Sequence, residues 1–342
     1  MNDSSLGRQG GDQGNRGGVK LDLSTCVNPY GPPPRVMSVL RNLPESLVRA
    51  HPYKAAADVE RSYAEHLGRP IEEFLAARGT SELIWILARE MQGHKVGLPM
   101  PTYSEFLQAF EGAHAYGGGS STHPVENLDE AMRDSDVVIL SNPHNPTGQI
   151  IDRQSLVDLA INYASTILVV DESYIDFLSN GDDVTLVGCE ADNVVVLRSP
   201  SKFYGLAGIR SGVAWSRRSI RSRAEAWRTP WPISALAAEA LRQALRERSW
   251  ATETRGFLAS DAAWLEDVLA ESELEITAGL LHFRLTTGSA SYVAKFADSL
   301  QTHGILVRVL TDRHGVGRPA LRIAAPRQND RWVLAAALGF LT

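Results

Sequence analysis

The sequence predicts an α/β fold, with a large domain built on a mostly parallel sheet and a smaller α+β domain at its C-terminal end. Short apolar runs recur between residues 95 and 215 and alternate with helical patterns, which is typical of βαβ units. Beyond about Pro230, long amphipathic helical patterns are followed by β-like segments, which favours a separate α+β unit. The 342 residues, 44% of them hydrophobic, are enough for two such domains.

Apolar spacing places the individual elements. Short runs of apolar and β-branched residues predict strands, and apolar residues that recur every three or four positions predict helices. The predicted strands are residues 95–98, 137–140, 167–170, 194–197 and 212–215. The predicted helices are residues 58–67, 81–91, 128–132, 156–163, 235–245, 259–269 and 331–341. The β-like segments of the second domain are residues 275–285 and 305–310.

Composition divides the chain into four regions. Residues 1–19 carry six glycines among polar residues, so they bury too little apolar area to offset the entropy of ordering, and we expect a flexible tail. An extended N-terminal arm follows, which Pro29 and the run Pro32 to Pro34 keep out of helix. The expected regions are the tail at 1–19, the arm at 20–34, a large domain at 35–230 and a small C-terminal domain at 231–342.

Charge and residue counts disfavour several classes of protein. A net charge of -6 and a pI near 5.9 give no overall positive field for nucleic acid or anionic lipid. No apolar stretch reaches the roughly 18 to 20 residues that cross a bilayer, and the first residues lack a signal-peptide pattern. The two cysteines, Cys26 and Cys189, are expected to be inert thiols, and the scattered histidines predict no metal site. We therefore expect a soluble, cytoplasmic protein that binds neither nucleic acid nor membrane.

Polar residues follow the second, third and fourth predicted strands. They are Asn145 in an Asn-Pro-Thr-Gly segment, Asp171 with Tyr174, and Lys202 among hydroxyl residues. Ligands of open parallel sheets bind beyond the carboxyl ends of the strands, so these groups are expected at one rim. Each has another explanation when taken alone, because Asn-Pro-Thr-Gly is a good turn, Asp171 could cap a helix and a lone lysine is usually solvated. Their joint occurrence after successive strands favours a ligand site.

Longer motifs surround these residues and carry a resemblance to a known family. They are SNPHNPTGQ, VVDESYIDF, LRSPSKFYGLAGIRSG and RPALRIA, supported by STCVNPYGPPP, ARGTSELI and MPTYSEF. With these motifs, the sequence from about Leu21 to the C-terminus resembles the fold-type-I pyridoxal 5'-phosphate (PLP) enzymes, and specifically the class I and II aminotransferase superfamily. Within it, the sequence is similar to the compact group that contains histidinol-phosphate aminotransferase and threonine-phosphate decarboxylase. The motifs are specific for the superfamily and say little about the substrate.

The resemblance implies roles around the cofactor ring. Lys202 would bind PLP covalently and then move the proton at the α-carbon of the substrate. Asp171 would pair with the pyridine nitrogen and keep it protonated, so that the ring can accept electrons. Asn145 and Tyr174 would bind the phenolic oxygen of the ring, and Tyr103 would stack on the ring face. Tyr103 and Tyr174 could instead be ordinary core aromatics.

The resemblance also implies a site for the cofactor phosphate. Thr80 and Ser81 begin a predicted helix, whose backbone N–H groups and dipole favour an anion, although both could be plain caps of that helix. Ser199, Ser201 and Arg210 match the remaining phosphate ligands of the family.

Three further residues match substrate-binding positions of the family. Arg322 would hold a carboxylate or phosphate of the substrate, because a planar guanidinium binds such anions through two parallel hydrogen bonds. Arg308 falls where the compact group has a second arginine, although it could be a surface cation at a strand end. Asn28, in the arm, would approach the same pocket.

The sequence departs from the family pattern at two places. Where relatives have Tyr-Pro, this chain has His51-Pro52-Tyr53, so either His51 or Tyr53 would reach the cofactor phosphate of a partner subunit. The segment that ends at Ala237 is more similar to the decarboxylase branch, with Ser234 in place of the usual asparagine, whereas the segment that ends at Arg210 is more similar to the aminotransferase branch.

The preferred hypothesis is therefore a homodimeric, PLP-dependent aminotransferase that uses a small amino acid or amino-phosphate and a 2-oxo acid. The alternatives are a decarboxylase of the threonine-phosphate type, another pathway-specific PLP enzyme such as an oxidase or cyclase, and a non-catalytic PLP sensor. Decarboxylation would use the same site with the carboxylate, rather than the proton, perpendicular to the ring plane. The choice between these bonds depends on substrate orientation at the ångström scale.

Overall fold

A computed structural model describes residues 18–117, 127–310 and 314–339 of the chain. The predicted flexible tail lies outside these residues except for its last two positions. No helix within the described ranges is long and apolar enough to span a bilayer.

Strands and helices alternate through most of the described chain. The strands are β1 (Leu21–Asp22), β2 (Phe74–Ala77), β3 (Val96–Pro99), β4 (His114–Tyr116), β5 (Val137–Ser141), β6 (Ile167–Asp171), β7 (Val194–Arg198), β8 (Gly212–Ser216), β9 (Glu275–Thr277), β10 (Phe283–Thr287), β11 (Ile305–Leu306), β12 (Arg308–Leu310) and β13 (Ala320–Ala324). The helices are α1 (Pro34–Arg41), α2 (Glu45–Arg49), α3 (Ala55–Leu67), α4 (Gly79–Glu90), α5 (Ser104–Ala109), α6 (Leu128–Asp134), α7 (Arg153–Asn162), α8 (Gly181–Val184), α9 (Arg218–Glu225), α10 (Ala235–Ala244), α11 (Arg248–Ala270), α12 (Ala290–Thr302) and α13 (Arg331–Leu338).

A seven-stranded sheet forms the centre of the fold, in the order β2-β8-β7-β6-β5-β3-β4. The strands β3 to β7 pair in parallel, whereas β8 runs antiparallel to both of its neighbours. Both faces of the sheet are buried: Val138 and Leu140 belong to one apolar cluster, and Val137 and Ile139 belong to the other. Because side chains alternate along a strand, burial on both faces requires an unbroken apolar run, which is why the sequence predicted these strands well.

A second, four-stranded sheet lies in the C-terminal part of the chain, in the order β12-β13-β10-β9, and all of its pairs are antiparallel. The long helix α11 precedes it. The N-terminal arm joins this region, because β1 pairs in parallel with β11. The arm then continues towards the carboxyl ends of the large sheet, where the Asn28 backbone N–H donates to the Lys202 carbonyl. The described structure thus has the expected large, mostly parallel sheet, and the sheet of its C-terminal part is antiparallel.

Several sequence-based boundaries were wrong. The strands β2, β4 and β13 were not predicted as strands; β2 is a four-residue, partly alanine segment of weak β-propensity that is stabilised by pairing with β8. Helix α11 begins at Arg248, well before the predicted start at residue 259, because packing overrides the weak helical preference of its first turns. Proline does not keep all of the arm out of helix, since Pro34 is the first residue of α1, where no backbone N–H is required.

Two predicted β segments also divide differently. Residues 275–285 contain two strands, β9 and the start of β10, that pair with each other. Residues 305–310 contain β11 and β12, which belong to different sheets. Apolar runs locate buried segments but do not show where a chain leaves one sheet for another.

Candidate active site

A cavity of about 570 Å³ lies beyond the carboxyl ends of β5, β6 and β7. The arm, the N-terminus of α4 and the second sheet complete its walls. The sequence-predicted residues that line it are Thr80, Tyr103, Asn145, Asp171, Tyr174, Lys202, Arg210, Arg308 and Arg322. The predicted residues that are not among its lining residues are Asn28, Ser81, Ser199 and Ser201.

Strand register brings the polar groups of the large sheet together. Ser141, at the end of β5, is the ladder partner of Asp171 at the end of β6, and Asp171 is in turn the partner of Leu197 on β7. The residues that follow these strands therefore emerge at one edge, which is where open parallel sheets bind ligands.

Asp171 is buried, and one of its carboxylate oxygens is held in place by Ser173. The Ser173 backbone N–H and hydroxyl donate to Oδ1 at 2.9 and 2.5 Å. The other oxygen has no hydrogen-bond partner among the described residues. Burial raises the pKa of Asp171, although the Ser173 hydrogen bonds and the charge of Lys202 act in the opposite direction. A cationic N–H group in the cavity would stabilise this carboxylate.

Lys202 extends its amine to the arm, where Nζ donates to the Thr25 carbonyl at 2.8 Å. Burial lowers the pKa of Lys202 to about 8, and the charges of Arg322 and Arg210 act in the same direction. A larger fraction of the amine is therefore neutral near pH 7 than for an ordinary lysine. A neutral amine is the form that attacks a carbonyl carbon.

Arg322 lies on β13 and reaches across to the large sheet. Its Nη1 donates to Asn145 Oδ1 and its Nη2 to the Ser24 carbonyl, each at 2.6 Å. Its Nε is buried and has no hydrogen-bond partner among the described residues. Guanidinium carries five N–H donors, so donors remain for an anion in the cavity. Arg308 is the ladder partner of Arg322 on β12 and also lines the cavity.

The N-terminus of α4 and Arg210 form another wall. Gly79 has φ +78°, and a Cβ at this position would lie 2.7 Å from Arg210 Nη2, so only glycine leaves room for the guanidinium. Arg210 donates to the carbonyls of Ala207 and Arg78 at 3.0 and 3.4 Å. Together, a helix N-terminus and a guanidinium provide an anion site.

The sequence model of the family described as "Aminotransferase class I and II" matches residues 19–337. The chain belongs to this family. It is therefore a PLP-dependent aminotransferase with the fold-type-I architecture.

Similar proteins have two different activities. A histidinol-phosphate aminotransferase of Cereibacter sphaeroides is 30% identical over 303 residues, which cover 84% of this chain and 82% of the relative. The structure of histidinol-phosphate aminotransferase from Sinorhizobium meliloti in complex with PLP has a TM-score of 0.85 at 22% identity and covers 95% of this chain and 92% of that one. L-threonine-O-3-phosphate decarboxylase from Porphyromonas gingivalis has a TM-score of 0.81 at 22% identity and covers 94% and 99%.

The residues of this aminotransferase fit the cofactor. The unpartnered oxygen of Asp171 suits a pyridinium N–H, the Lys202 amine suits covalent attachment, and the N-terminus of α4 beside Arg210 suits a phosphate. Each of these groups faces the same cavity, with the exception of the buried Gly79 that begins α4. The geometry therefore agrees with the cofactor of the family.

Other sequence-predicted residues of the enzyme lie next to residues of the cavity but do not line it. The Ser199 hydroxyl donates to the Ser211 carbonyl at 3.0 Å and lies 2.7 Å from Ser201 Oγ, which shapes the loop before Lys202. Asn28 Nδ2 donates to the Phe203 carbonyl at 2.8 Å, on the other side of the lysine. Ser81 is half-buried on the first turn of α4.

Sequence reasoning missed one group of this site. Ser173 is the hydrogen-bond donor that orients Asp171, and its place two residues after the carboxylate was the available signal. Cys26, which was expected to be an inert thiol, is buried beside the site. Burial raises the pKa of Cys26 and of Tyr174, so both groups are protonated at neutral pH.

Proposed function

We propose that the enzyme transfers the amino group between a small amino acid or amino-phosphate and a 2-oxo acid, as in histidinol-phosphate aminotransferase. The observation that carries this proposal is the convergence of Lys202, Asp171 and Arg322 on one cavity. These residues supply the amine, the carboxylate and the anion-binding guanidinium that the reaction requires.

The proposed role of each residue follows from the chemistry of its side-chain atoms. When bound, PLP supplies an electron sink for the negative charge that forms at the substrate's α-carbon. Lys202 Nζ would take up the α-proton and return it, which its lowered pKa favours at neutral pH. Asp171 would hold a proton on the ring nitrogen. Arg322 would bind the substrate carboxylate, and Arg308 would bind an anionic tail.

The remaining cofactor contacts are proposed on the same basis. Asn145 and Tyr174 would bind the phenolic oxygen of the ring, and Tyr103 would cover its face. Thr80, Ser81 and Arg210 would bind the phosphate directly, and Ser199 and Ser201 would shape the loop that holds it. Asn28 would act through the arm, because its amide already binds the Phe203 carbonyl.

Decarboxylation of a phosphorylated amino acid is the second candidate. It is favoured by the likeness to a relative named as a putative threonine-phosphate decarboxylase, which is 25% identical over 330 residues that cover 91% of this chain and 88% of the relative. Both reactions would use Lys202 and Asp171 alike, and they differ in the bond placed perpendicular to the ring plane.

A single-turnover experiment separates the two candidates. Amino acids and amino-phosphates are added one at a time to the PLP-loaded enzyme without an acceptor, and the visible absorbance and the released carbon dioxide are measured. Transamination predicts loss of the visible band with a stoichiometric keto product and no carbon dioxide. Release of carbon dioxide with recovery of the band would instead establish decarboxylation. Lys202→Ala should abolish either response.

We also propose that the enzyme is a homodimer. Tyr53 is 73% exposed and Trp231 is 50% exposed, and the Trp231 ring stacks on His51 with 4.3 Å between ring centroids. Such an exposed aromatic group favours a protein interface, and either His51 or Tyr53 would contact the partner's cofactor phosphate. Light scattering on the wild type and on Trp231→Ala tests this, and a fully active wild-type monomer would contradict it.

We further propose domain boundaries for the enzyme and its location in the cell. The seven-stranded sheet lies within residues 74–216 and the four-stranded sheet within 275–324, which supports a large domain over 35–230 and a small one over 231–342. Limited proteolysis that cut within either sheet first would contradict this division. We also propose a cytoplasmic location, which fractionation of the producing cells tests.

A further inference from the structure

A buried group of charged side chains lies behind the candidate active site. Arg198 Nη2 donates to Asp176 Oδ1 at 2.8 Å, and Arg198 Nη1 lies 3.4 Å from Glu172 Oε2. All three side chains are buried, with exposed fractions of 4%, 8% and 0% for Arg198, Asp176 and Glu172. Their residues do not line the cavity, so this buried charge cluster (Arg198, Glu172 and Asp176) makes no direct contact with a ligand there.

Each member of the buried charge cluster is close in sequence to a residue that faces the cavity. Glu172 follows Asp171, and its backbone N–H donates to the Leu197 carbonyl of β7 at 2.9 Å. Asp176 is two residues beyond Tyr174, and Arg198 ends β7, four residues before Lys202. One guanidinium thus connects the two chain segments, 171–176 and 198–202, that carry these cavity residues.

Further hydrogen bonds fix the Glu172 carboxylate and the Asp176 backbone. Glu172 accepts from the Thr185 hydroxyl at 2.6 Å and from the Leu186 backbone N–H at 2.7 Å. The Asp176 carbonyl accepts from Arg255 Nε at 2.8 Å. The guanidinium therefore lies between two anchored residues, and it cannot shift towards one carboxylate without losing the other.

Stability alone does not explain the buried charge cluster, because burying charged groups costs free energy. Burial raises the pKa of Glu172 to about 7, despite the opposing charge of Arg198. Arg198 Nε has no hydrogen-bond partner among the described residues, and neither does the nearby Tyr63 hydroxyl. Buried ion pairs of this kind are often no more stable than well-packed apolar residues. A role in geometry accounts better for their presence.

We infer that Arg198, Glu172 and Asp176 are positioning residues, which set the separation between the Asp171 carboxylate and the Lys202 amine in the PLP-loaded enzyme. The inference rests on the proposed roles of Asp171 and Lys202. A displacement of about 1 Å between groups that act together can lower a rate about 100-fold. The cluster would therefore act on the catalytic rate rather than on substrate binding.

The variants Arg198→Lys and Asp176→Asn test this inference. Arg198→Lys keeps the charge but loses the two-pronged geometry, and Asp176→Asn removes the charge of one carboxylate that binds the guanidinium. For both, we expect kcat to fall about 100-fold while KM for the amino substrate changes less than about threefold. The pH midpoint of the visible absorbance of the bound cofactor should also shift by about half a unit or more, because it reports the surroundings of Lys202.

Glu60→Gln is the matched control. Glu60 is a buried carboxylate that binds Arg228 Nη1 at 2.6 Å and the Ala76 backbone N–H at 3.0 Å, on the other side of the large sheet's edge strand from the cavity residues. Its loss is expected to lower the melting temperature of the cofactor-free protein without changing kcat or the absorbance midpoint. A merely structural role for the cluster predicts that the three variants behave alike.

Two results would overturn the inference. Folded variants with wild-type kcat and midpoint would overturn it. So would failure of both variants to fold, since the cluster would then serve stability rather than position. Borohydride reduction of the wild-type enzyme followed by peptide mapping separates this result from a failure of the proposed function: label on a residue other than Lys202 would refute the proposed site itself.

Discussion

Asn145 and Arg322 are joined by a hydrogen bond of 2.6 Å from the guanidinium to the amide oxygen. Asn145 follows β5 of the seven-stranded sheet, and Arg322 lies on β13 of the four-stranded sheet. The bond therefore links a proposed ring-binding residue to a proposed substrate-binding residue. A change at Arg322 should affect both the substrate and the position of Asn145.

Arg322→Lys should lower kcat/KM by about 10- to 150-fold, mainly through a higher KM. Lysine keeps the charge but loses the planar pair of donors, and a hydrogen bond to a charged group contributes about 1.5 to 3 kcal/mol. Steady-state kinetics with the identified amino donor measure this. Arg318→Lys, at a surface ion pair with Glu275, is the control and should leave both constants unchanged.

Asp171→Asn should lower kcat by about 100- to 1000-fold, as is typical when a charge that stabilises the reacting state is removed. Cofactor binding should weaken much less, because the covalent attachment and the phosphate site remain. Ser173→Ala keeps the carboxylate but removes its 2.5 Å hydrogen bond, so a smaller loss is expected. Equal losses in the two variants would contradict the role given to the Asp171 charge.

Lys202→Ala should leave no covalently held cofactor and lower turnover at least about 1000-fold, since general acid–base catalysis alone contributes up to about 10,000-fold. Absorbance after borohydride reduction and gel filtration measures the attachment. Lys295→Ala removes an exposed lysine on α12 and should behave as the wild type. Retention of covalent cofactor by Lys202→Ala would refute the assignment.

The rate at which PLP attaches to the cofactor-free enzyme should increase with pH and reach half of its maximum near pH 8. The neutral amine reacts, and burial lowers the pKa of Lys202 from the ordinary 10.5 to about 8, so the reactive fraction grows as the pH rises through that value. Stopped-flow absorbance between pH 6 and 10 gives the midpoint. A midpoint near 10.5 would show that the amine is not perturbed.

Gly79→Ala should weaken PLP binding. The residue has φ +78°, a conformation that costs an L-residue roughly 1 to 2 kcal/mol, and its Cβ would displace the Arg210 guanidinium. Gly256→Ala is the control, because Gly256 lies inside α11 with nothing within 4 Å of the added Cβ. That change should raise stability by roughly 0.5 to 1 kcal/mol and leave PLP affinity unchanged, as measured by denaturation and fluorescence titration.

The sequence predicted the rim of the large sheet because its physical cause is local. Strands β5, β6 and β7 are buried on both faces, so their apolar runs are continuous and the polar residue that ends each run is conspicuous. Family membership and the cofactor were confirmed by the match over residues 19–337. The roles of individual site residues stay predictions.

Contacts between distant segments could not be predicted from one sequence. Asn145 and Arg322 are 177 positions apart, and Arg198 and Asp176 are separated by 22, with no local pattern that pairs them. The strand β2 was missed for a related reason, since its pairing with β8 rather than its own composition determines its conformation.

The parallel pairing of β1 with β11 has a consequence for synthesis of the protein. Residues 21–22 leave the ribosome early, but their partners at 305–306 appear only after most of the chain has been made. The arm residues Ser24 and Thr25, which line the cavity, therefore remain without their final anchor until then. Because translation proceeds at about 5 to 20 residues per second, a nascent chain cannot close the PLP pocket for many seconds after the large sheet can form.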